Sequence, residues 1–359
     1  MRKHALALAY ALMCGAALVT AESAWAQTQC DPAKGEIPWT SEPVNARECT
    51  CSDLPTLLDA LASAKRYRDL YEAMAADIRA LESAGMTPAD SRDEWLNRNA
   101  AGAQAIQQSE GASGTFATTD GVQCTTCIPV QTLGSQCRAI LQAAWMHEKV
   151  HRDVCHVRRR AGTGPLTVPG SDHAIEERDA YAANIPVLVA EIERLLEKVT
   201  IDWTTSGSDY KESGQVTLDQ PVVPAPQDRI VVGGQGSVKV EFKTFNDFAT
   251  VPIAGMATSC KVVGGLPKTI NVTAQLNVRV TSPARPIVLT VQDVGTPMQV
   301  SFECPRIPRR PFPFPIRYAG VAFHFDWPIK DGAKAIRVEP PSPPAKYHQN
   351  FSATVTCRP

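Results

Sequence analysis

Residues 147–151 read His147-Glu148-Lys149-Val150-His151. On a helix, positions i and i+4 project from one face about a turn apart, so the two imidazoles can grip one metal ion. Zinc takes nitrogen, sulfur and oxygen ligands in tetrahedral geometry, and a catalytic zinc keeps one position for water. Glu148 follows the first histidine and is placed to reach that water. Zinc brings the water's pKa down to about 7, where a carboxylate can remove its proton. On a helical wheel His147 and His151 share a face with Ile140, Ala144 and Val154, while Lys149 and Arg152 point the other way. The imidazoles are therefore expected to face the interior and the cations solvent. Asp153 lies about 160° from His151 and reads as a solvated residue.

Two histidines need a third ligand, expected on a neighbouring helix. Residues 175–181, Ile-Glu-Glu-Arg-Asp-Ala-Tyr, offer Glu176 and Glu177. Glu177 is in phase with Tyr181, Leu188 and Leu195, which mark a buried stripe, whereas Glu176 falls about 100° away. A carboxylate directed into a core requires a cation or metal. Glu177 is thus the expected ligand and Glu176 the second candidate. His173 and Tyr181, one turn either side of Glu177, are candidates for stabilising an oxyanion. Packing or capping roles compete with that reading for both. Asn184 is a polar exception on the same stripe, either supporting the ligands from behind or capping a turn.

These residues resemble the zincin metallopeptidases, specifically the gluzincin type, in which His-Glu-x-x-His is completed by a downstream glutamate on another helix. The resemblance covers about residues 135–200. It implies His147, His151 and Glu177 as ligands of one zinc ion per chain, Glu148 as general base, and a peptide or protein substrate. The metzincin pattern is absent, because positions 154 and 157 are both valine.

The chain around the motif has 359 residues, 44% of them hydrophobic, with a formal charge of −1. That length suits two domains. Near-neutral charge gives no reason to propose nucleic acid as a partner. Arg2 and Lys3, an apolar run from Ala5 to Val19 and Ala24-Trp25-Ala26 read as a secretory signal cleaved after Ala26. The run is shorter than the roughly 20 residues of a membrane span. A lipid-modified start at Cys14 is the weaker alternative. No other stretch is apolar enough to cross a bilayer, so the mature chain is expected to be secreted or periplasmic.

The expected fold is α+β: a mostly helical metal-binding domain at 27–203, a linker at 204–228 and an all-β, sandwich-like domain at 229–359. Apolar spacing predicts helices over 53–83, more weakly 89–108, then 135–160 and 171–199. Ser171 or Asp172 is the expected cap of the last, and Pro186 is expected to kink or split it. Residues 27–52 read as an arm fixed by cysteines, and 109–133 as a loop stapled between Cys124 and Cys127. β-branched runs at 237–242, 270–280, 287–291, 299–302 and 352–356 read as strands. The basic, aromatic and proline-rich stretch 305–315 reads as a connector, or as a surface for an anionic or polymeric partner.

Ten cysteines follow the signal, seven before residue 210 and three after it. An even number in an exported chain favours disulfides. Two odd counts require either a bridge between the halves or a free thiol in each. Cys137 and Cys155 on one helix would lie about 27 Å apart, so each needs a partner elsewhere. Taken together, the sequence reads as a secreted zinc metallopeptidase. The alternative is a non-catalytic exported zinc-binding or interaction protein whose β-domain binds a partner.

Overall fold

The computed structural model describes residues 30–163, 170–207, 210–221, 229–243, 261–279, 287–295, 297–303, 312–316, 318, 320–339 and 350–357. The signal segment, Cys14, Cys260, Cys304 and most of 305–315 lie outside the described residues. A short strand β1 (Glu36–Pro38) precedes helices α1 (Leu54–Ser83), α2 (Pro88–Arg98) and α3 (Ala100–Phe116). Strands β2 (Thr118–Thr119) and β3 (Thr126–Pro129) follow, then α4 (Val130–Ser135), α5 (Arg138–Ala161) and α6 (Ser171–Leu196). The remainder is strand: β4 (Val199–Ser206), β5 (Tyr210–Pro221), β6 (Arg229–Phe242), β7 (Lys261–Gly264), β8 (Lys268–Arg279), β9 (Ile287–Asp293), β10 (Met298–Glu303), β11 (Phe312–Ile316), β12 (Val321–Phe325), β13 (Arg337–Glu339) and β14 (Asn350–Cys357). The chain is thus a mixed α+β protein, helical first and β-rich after.

The strands form an eight-stranded antiparallel sheet in the order β13-β12-β9-β8-β6-β5-β4-β14 and a three-stranded sheet β11-β10-β7. A further small sheet, β1-β3-β2, belongs to the helical half. Of the stretch 204–228, expected as a linker, residues 204–206 end β4 and 210–221 form β5, while 208–209 and 222–228 lie outside the described residues. Its Ser, Thr and Gly content misled the reading, because alternate positions face a core: Trp203, Thr205, Tyr210 and Glu212 are buried. Helices and sheet share one hydrophobic core, running from Leu57, Leu61 and Ile78 of α1 through Leu188 and Ile192 of α6 to Ile201, Val216 and Leu276.

Helix boundaries depart from expectation in three places. The weak helix is two, separated at Asn99, whose side-chain amide donates to the Trp95 carbonyl at 3.0 Å. Helix α6 runs unbroken through Pro186. Proline deletes one N–H, and burial of Leu188, Ile192 and Leu195 on the far side holds the axis. Its N-cap is Gly170, neither Ser171 nor Asp172. Glu82 of α1 supplies the cap from a distance, accepting from Ser171 N at 3.1 Å and Ser171 Oγ at 2.5 Å. A carboxylate there satisfies free N–H groups and the positive end of the helix. Helix α5 stops at Gly162, whose φ of +69° suits the left-handed turn that closes it.

Four disulfides are described: Cys30–Cys127, Cys49–Cys137, Cys51–Cys357 and Cys124–Cys155. The local Cys124–Cys127 staple does not form. Each of those residues ties the β2–β3 hairpin to a different segment, one of them α5. Cys51–Cys357 joins the helical half to the last strand, and Cys137 and Cys155 find partners off their shared helix. Residues 109–133 are accordingly no plain loop but the end of α3, the hairpin and α4.

Candidate metal centre

Helices α5 and α6 pack side by side and bring three ligand atoms together. His147 Nε2 lies 3.2 Å from His151 Nε2. Glu177 places Oε1 at 3.6 Å from His151 Nε2 and Oε2 at 3.9 Å from His147 Nε2. A tetrahedral zinc with ligands at about 2.0–2.1 Å separates its ligand atoms by about 3.3 Å. The three donors, all within 4.8 Å of one another, therefore fit one small cation with little adjustment. Among the described residues this is the group suited to hold a metal ion. Glu177, placed by its helical phase, is the carboxylate that completes it.

Glu176 does something else. Its Oε1 sits 2.7 Å from His151 Nδ1, which fixes the ring and leaves Nε2 for the ligand position. Removing this carboxylate in Glu176→Ala should weaken zinc binding about 10–100-fold, less than Glu177→Ala, as read by competition with a chromophoric chelator. Equal losses in the two variants would reverse the assignment of ligand and support.

Electrostatics separate the two imidazoles. Burial, helped by the neighbouring His151, holds His147 down to about 3, so the ring is neutral and keeps a free lone pair. Burial opposes protonation of His151 as well, but the Glu176 hydrogen bond and the charges of Glu177 and Glu148 outweigh it and raise it to about 9. Two carboxylates beside this ring favour positive charge here, and a metal ion bound at Nε2 would displace the His151 proton.

Glu148 is 5% exposed. Its Oε2 accepts a hydrogen bond from Thr119 Oγ1 at 2.7 Å, and Thr119 Oγ1 lies 2.8 Å from Thr126 Oγ1. Burial pushes the Glu148 carboxyl up, against the Thr119 hydrogen bond and the charges of His151 and Arg152. The hydroxyl pair belongs to the β2–β3 hairpin, which Cys124–Cys155 straps to α5. Nothing in a Thr- and Gly-rich stretch singled out Thr119 or Thr126, since their role depends on the hairpin's position.

No known family matches this chain. No curated protein and no solved structure matches it either. The site therefore rests on its own geometry.

Two cavities meet at His147 and Glu148. The larger, about 320 Å³, is lined by Thr119, His147, Glu148, His151, Arg158, His173, Glu176 and Glu177. The smaller, about 210 Å³, is mostly apolar: Ala60, Ser63, Ala64 and Tyr67 form one stripe of α1, facing Phe116, Tyr181 and Asn184. His173 thus lines the metal cleft, and burial holds it below its usual value. Tyr181 lies on the apolar side, its ring edge-on to His147 at 4.7 Å and stacked on Tyr71 at 5.9 Å. The Asn184 side-chain amide faces the carbonyls of Ala143 on α5 and Ala180 on its own helix, at 2.8 and 3.2 Å, an environment that assigns its nitrogen to that side as donor.

Of the cations expected in solvent, Lys149 is exposed and pairs with Asp153. Arg152 is not free. Its guanidinium stacks on the Trp145 ring at 4.1 Å, within a satellite core of Trp39, Ile128, Leu141 and Trp145.

Proposed function

We propose that this chain is an exported zinc peptidase with a zincin-like helical half, hydrolysing peptide bonds with Glu148 as general base. The observation that carries the reading is the meeting of His147, His151 and Glu177 at near-tetrahedral spacing, with a buried glutamate opening into the same cleft. Bound there, zinc would supply a Lewis acid that polarises the scissile carbonyl and acidifies water.

The chain's own residues do the rest. His147, His151 and Glu177 hold the ion, and Glu176 fixes the orientation of His151. Thr119 aims the Glu148 carboxylate, which takes the proton of the attacking water and passes it to the leaving amine. Burial, which raises the affinity of Glu148 for that proton, suits it to both tasks. Of the two oxyanion candidates, His173 lines the metal cleft and can donate to the oxyanion, whereas Tyr181 packs on the apolar side. The apolar cavity suits an apolar side chain beside the bond that is cut.

Export agrees with the disulfides, which persist in oxidising compartments. Among the described residues no helix is long and apolar enough to cross a membrane. The test is metal analysis together with digestion of a denatured protein and a broad peptide library. The expected result is about one zinc per chain and cleavage that 1,10-phenanthroline stops and zinc restores. Purified protein that binds no zinc would end this reading. Zinc without cleavage of any peptide would favour an exported binding protein.

A further inference from the structure

We propose that Arg158 is a carboxylate-recognition residue of the metal cleft, binding an anionic group of the peptide close to the bond that is cut. The inference deepens the hydrolytic reading, but its test is a binding measurement and does not require turnover.

The run Arg158-Arg159-Arg160 ends α5. Basic residues at a helix C-terminus commonly do no more than face the negative end of the dipole. Arg159 and Arg160 fit that role, being exposed. Arg158 does not. It continues the stripe His147, His151, Val154 at helical spacing, is half-buried, and lines the metal cleft with all three. Among the described residues its guanidinium forms no ion pair or hydrogen bond, although Glu176 and Glu177 line the same cleft. Residues 164–169, next in the sequence, include no acidic residue. Burial chiefly holds His173 below its usual value, and the Arg158 charge adds the smallest of the contributions in the same direction. A planar, half-buried guanidinium that pairs with none of the described residues and opens into a substrate cleft suits a carboxylate, which it can grip with two parallel hydrogen bonds.

Position limits where that carboxylate lies. Arg158 is seven residues beyond His151, about 10.5 Å along the axis, and side chains lean back toward the helix N-terminus. An extended peptide advances about 3.3–3.6 Å per residue. The anionic group therefore sits within roughly three residues of the scissile bond. Two sources share this chemistry: the C-terminal carboxylate of a peptide and an Asp or Glu side chain.

Three hydroxamic acids separate them, each with the metal-chelating head joined to a dipeptide. One ends in a free carboxylate, one in an amide, and one in an amide with a glutamate side chain. Titrated into zinc-loaded wild type, one or both acids should bind about 10–100-fold more tightly than the neutral amide. Arg158→Gln should abolish the gain while leaving zinc content and affinity for the neutral amide unchanged, and Arg158→Lys should keep part of it. A gain for the first acid alone assigns the chain terminus, and for the third probe alone an acidic side chain. Equal binding of all three, or a gain that survives Arg158→Gln, overturns this proposal and leaves the zinc site standing. Failure of the protein to take up zinc overturns both.

Discussion

Glu148→Gln should retain one zinc per chain and lose about 10²–10⁴-fold in kcat/KM toward any peptide the wild type cleaves. The ligands His147, His151 and Glu177 are untouched, so metal content should not fall. The amide is nearly isosteric and its oxygen can still accept from Thr119 Oγ1, now at 2.7 Å from Glu148 Oε2, so the fold should also be unchanged. What the substitution removes is the capacity to take a proton. Paired metal analysis and initial-rate measurements decide the matter. A variant within 10-fold of wild type, with zinc still bound, would strip Glu148 of its role.

A second large effect lies in the sheet. Glu212 on β5 is 3% exposed. Its Oε1 accepts from Trp203 Nε1 at 2.5 Å and Tyr318 OH at 2.7 Å, and its Oε2 accepts from Tyr210 OH. Trp203 lies flat over Gly214, where a Cβ would fall 2.2 Å from the ring, so only glycine admits this arrangement. Each buried donor left without an acceptor costs about 1–3 kcal/mol. Glu212→Ala should therefore lower the unfolding free energy by roughly 3–5 kcal/mol in urea denaturation. Glu212→Gln keeps one oxygen for Trp203 and Tyr318, and its amide can donate to the Tyr210 oxygen, so its cost should be well under half of that.

The pH behaviour has a definite sign. Burial raises the Glu212 carboxyl, against the three hydrogen bonds. A carboxyl raised in the folded state contributes stability below its unfolded pKa that is lost as pH climbs through its folded one. Wild type should lose this contribution as pH rises above about 4.3, whereas Glu212→Gln should lack that component of the pH dependence. A Glu212→Ala variant no less stable than wild type at pH 7 would mean that these contacts contribute nothing net.

Much of the helical half was legible because its signals are local. The leucine spacing of α1 and the phase of His147, His151 and Glu177 follow from 3.6 residues per turn, and that period selected Glu177 over Glu176. The strands β6, β8, β9, β10 and β14 were legible from β-branched alternation. The errors arose where local composition was overruled from outside. Residues 204–206 and 210–221 look like parts of a polar linker, yet pairing with β14 and β6 makes them strands. Pro186 should break a helix, yet packing on α1 and α5 keeps α6 whole. Arg152 belongs on a solvated face by its helical angle, yet the Trp145 ring lies beneath it.

The sequence by itself pointed to the donor set, because residue type and helical period, read one helix at a time, put His147 and His151 on one face of α5 and Glu177 on the buried stripe of α6. It also required that Cys137 and Cys155 look elsewhere, since helix rise alone keeps them apart. Only the tertiary structure decided what surrounds that set: Glu176 against His151 Nδ1, Thr119 against Glu148, Glu82 capping the helix that carries Glu177, and Arg158 in the cleft. The contacts of Glu176, Thr119 and Glu82 span chain separations at which one sequence carries no distance information, and the cleft that Arg158 enters is closed by a second helix and the hairpin. Packing of whole helices and the disulfide-held hairpin, rather than any local preference, sets them.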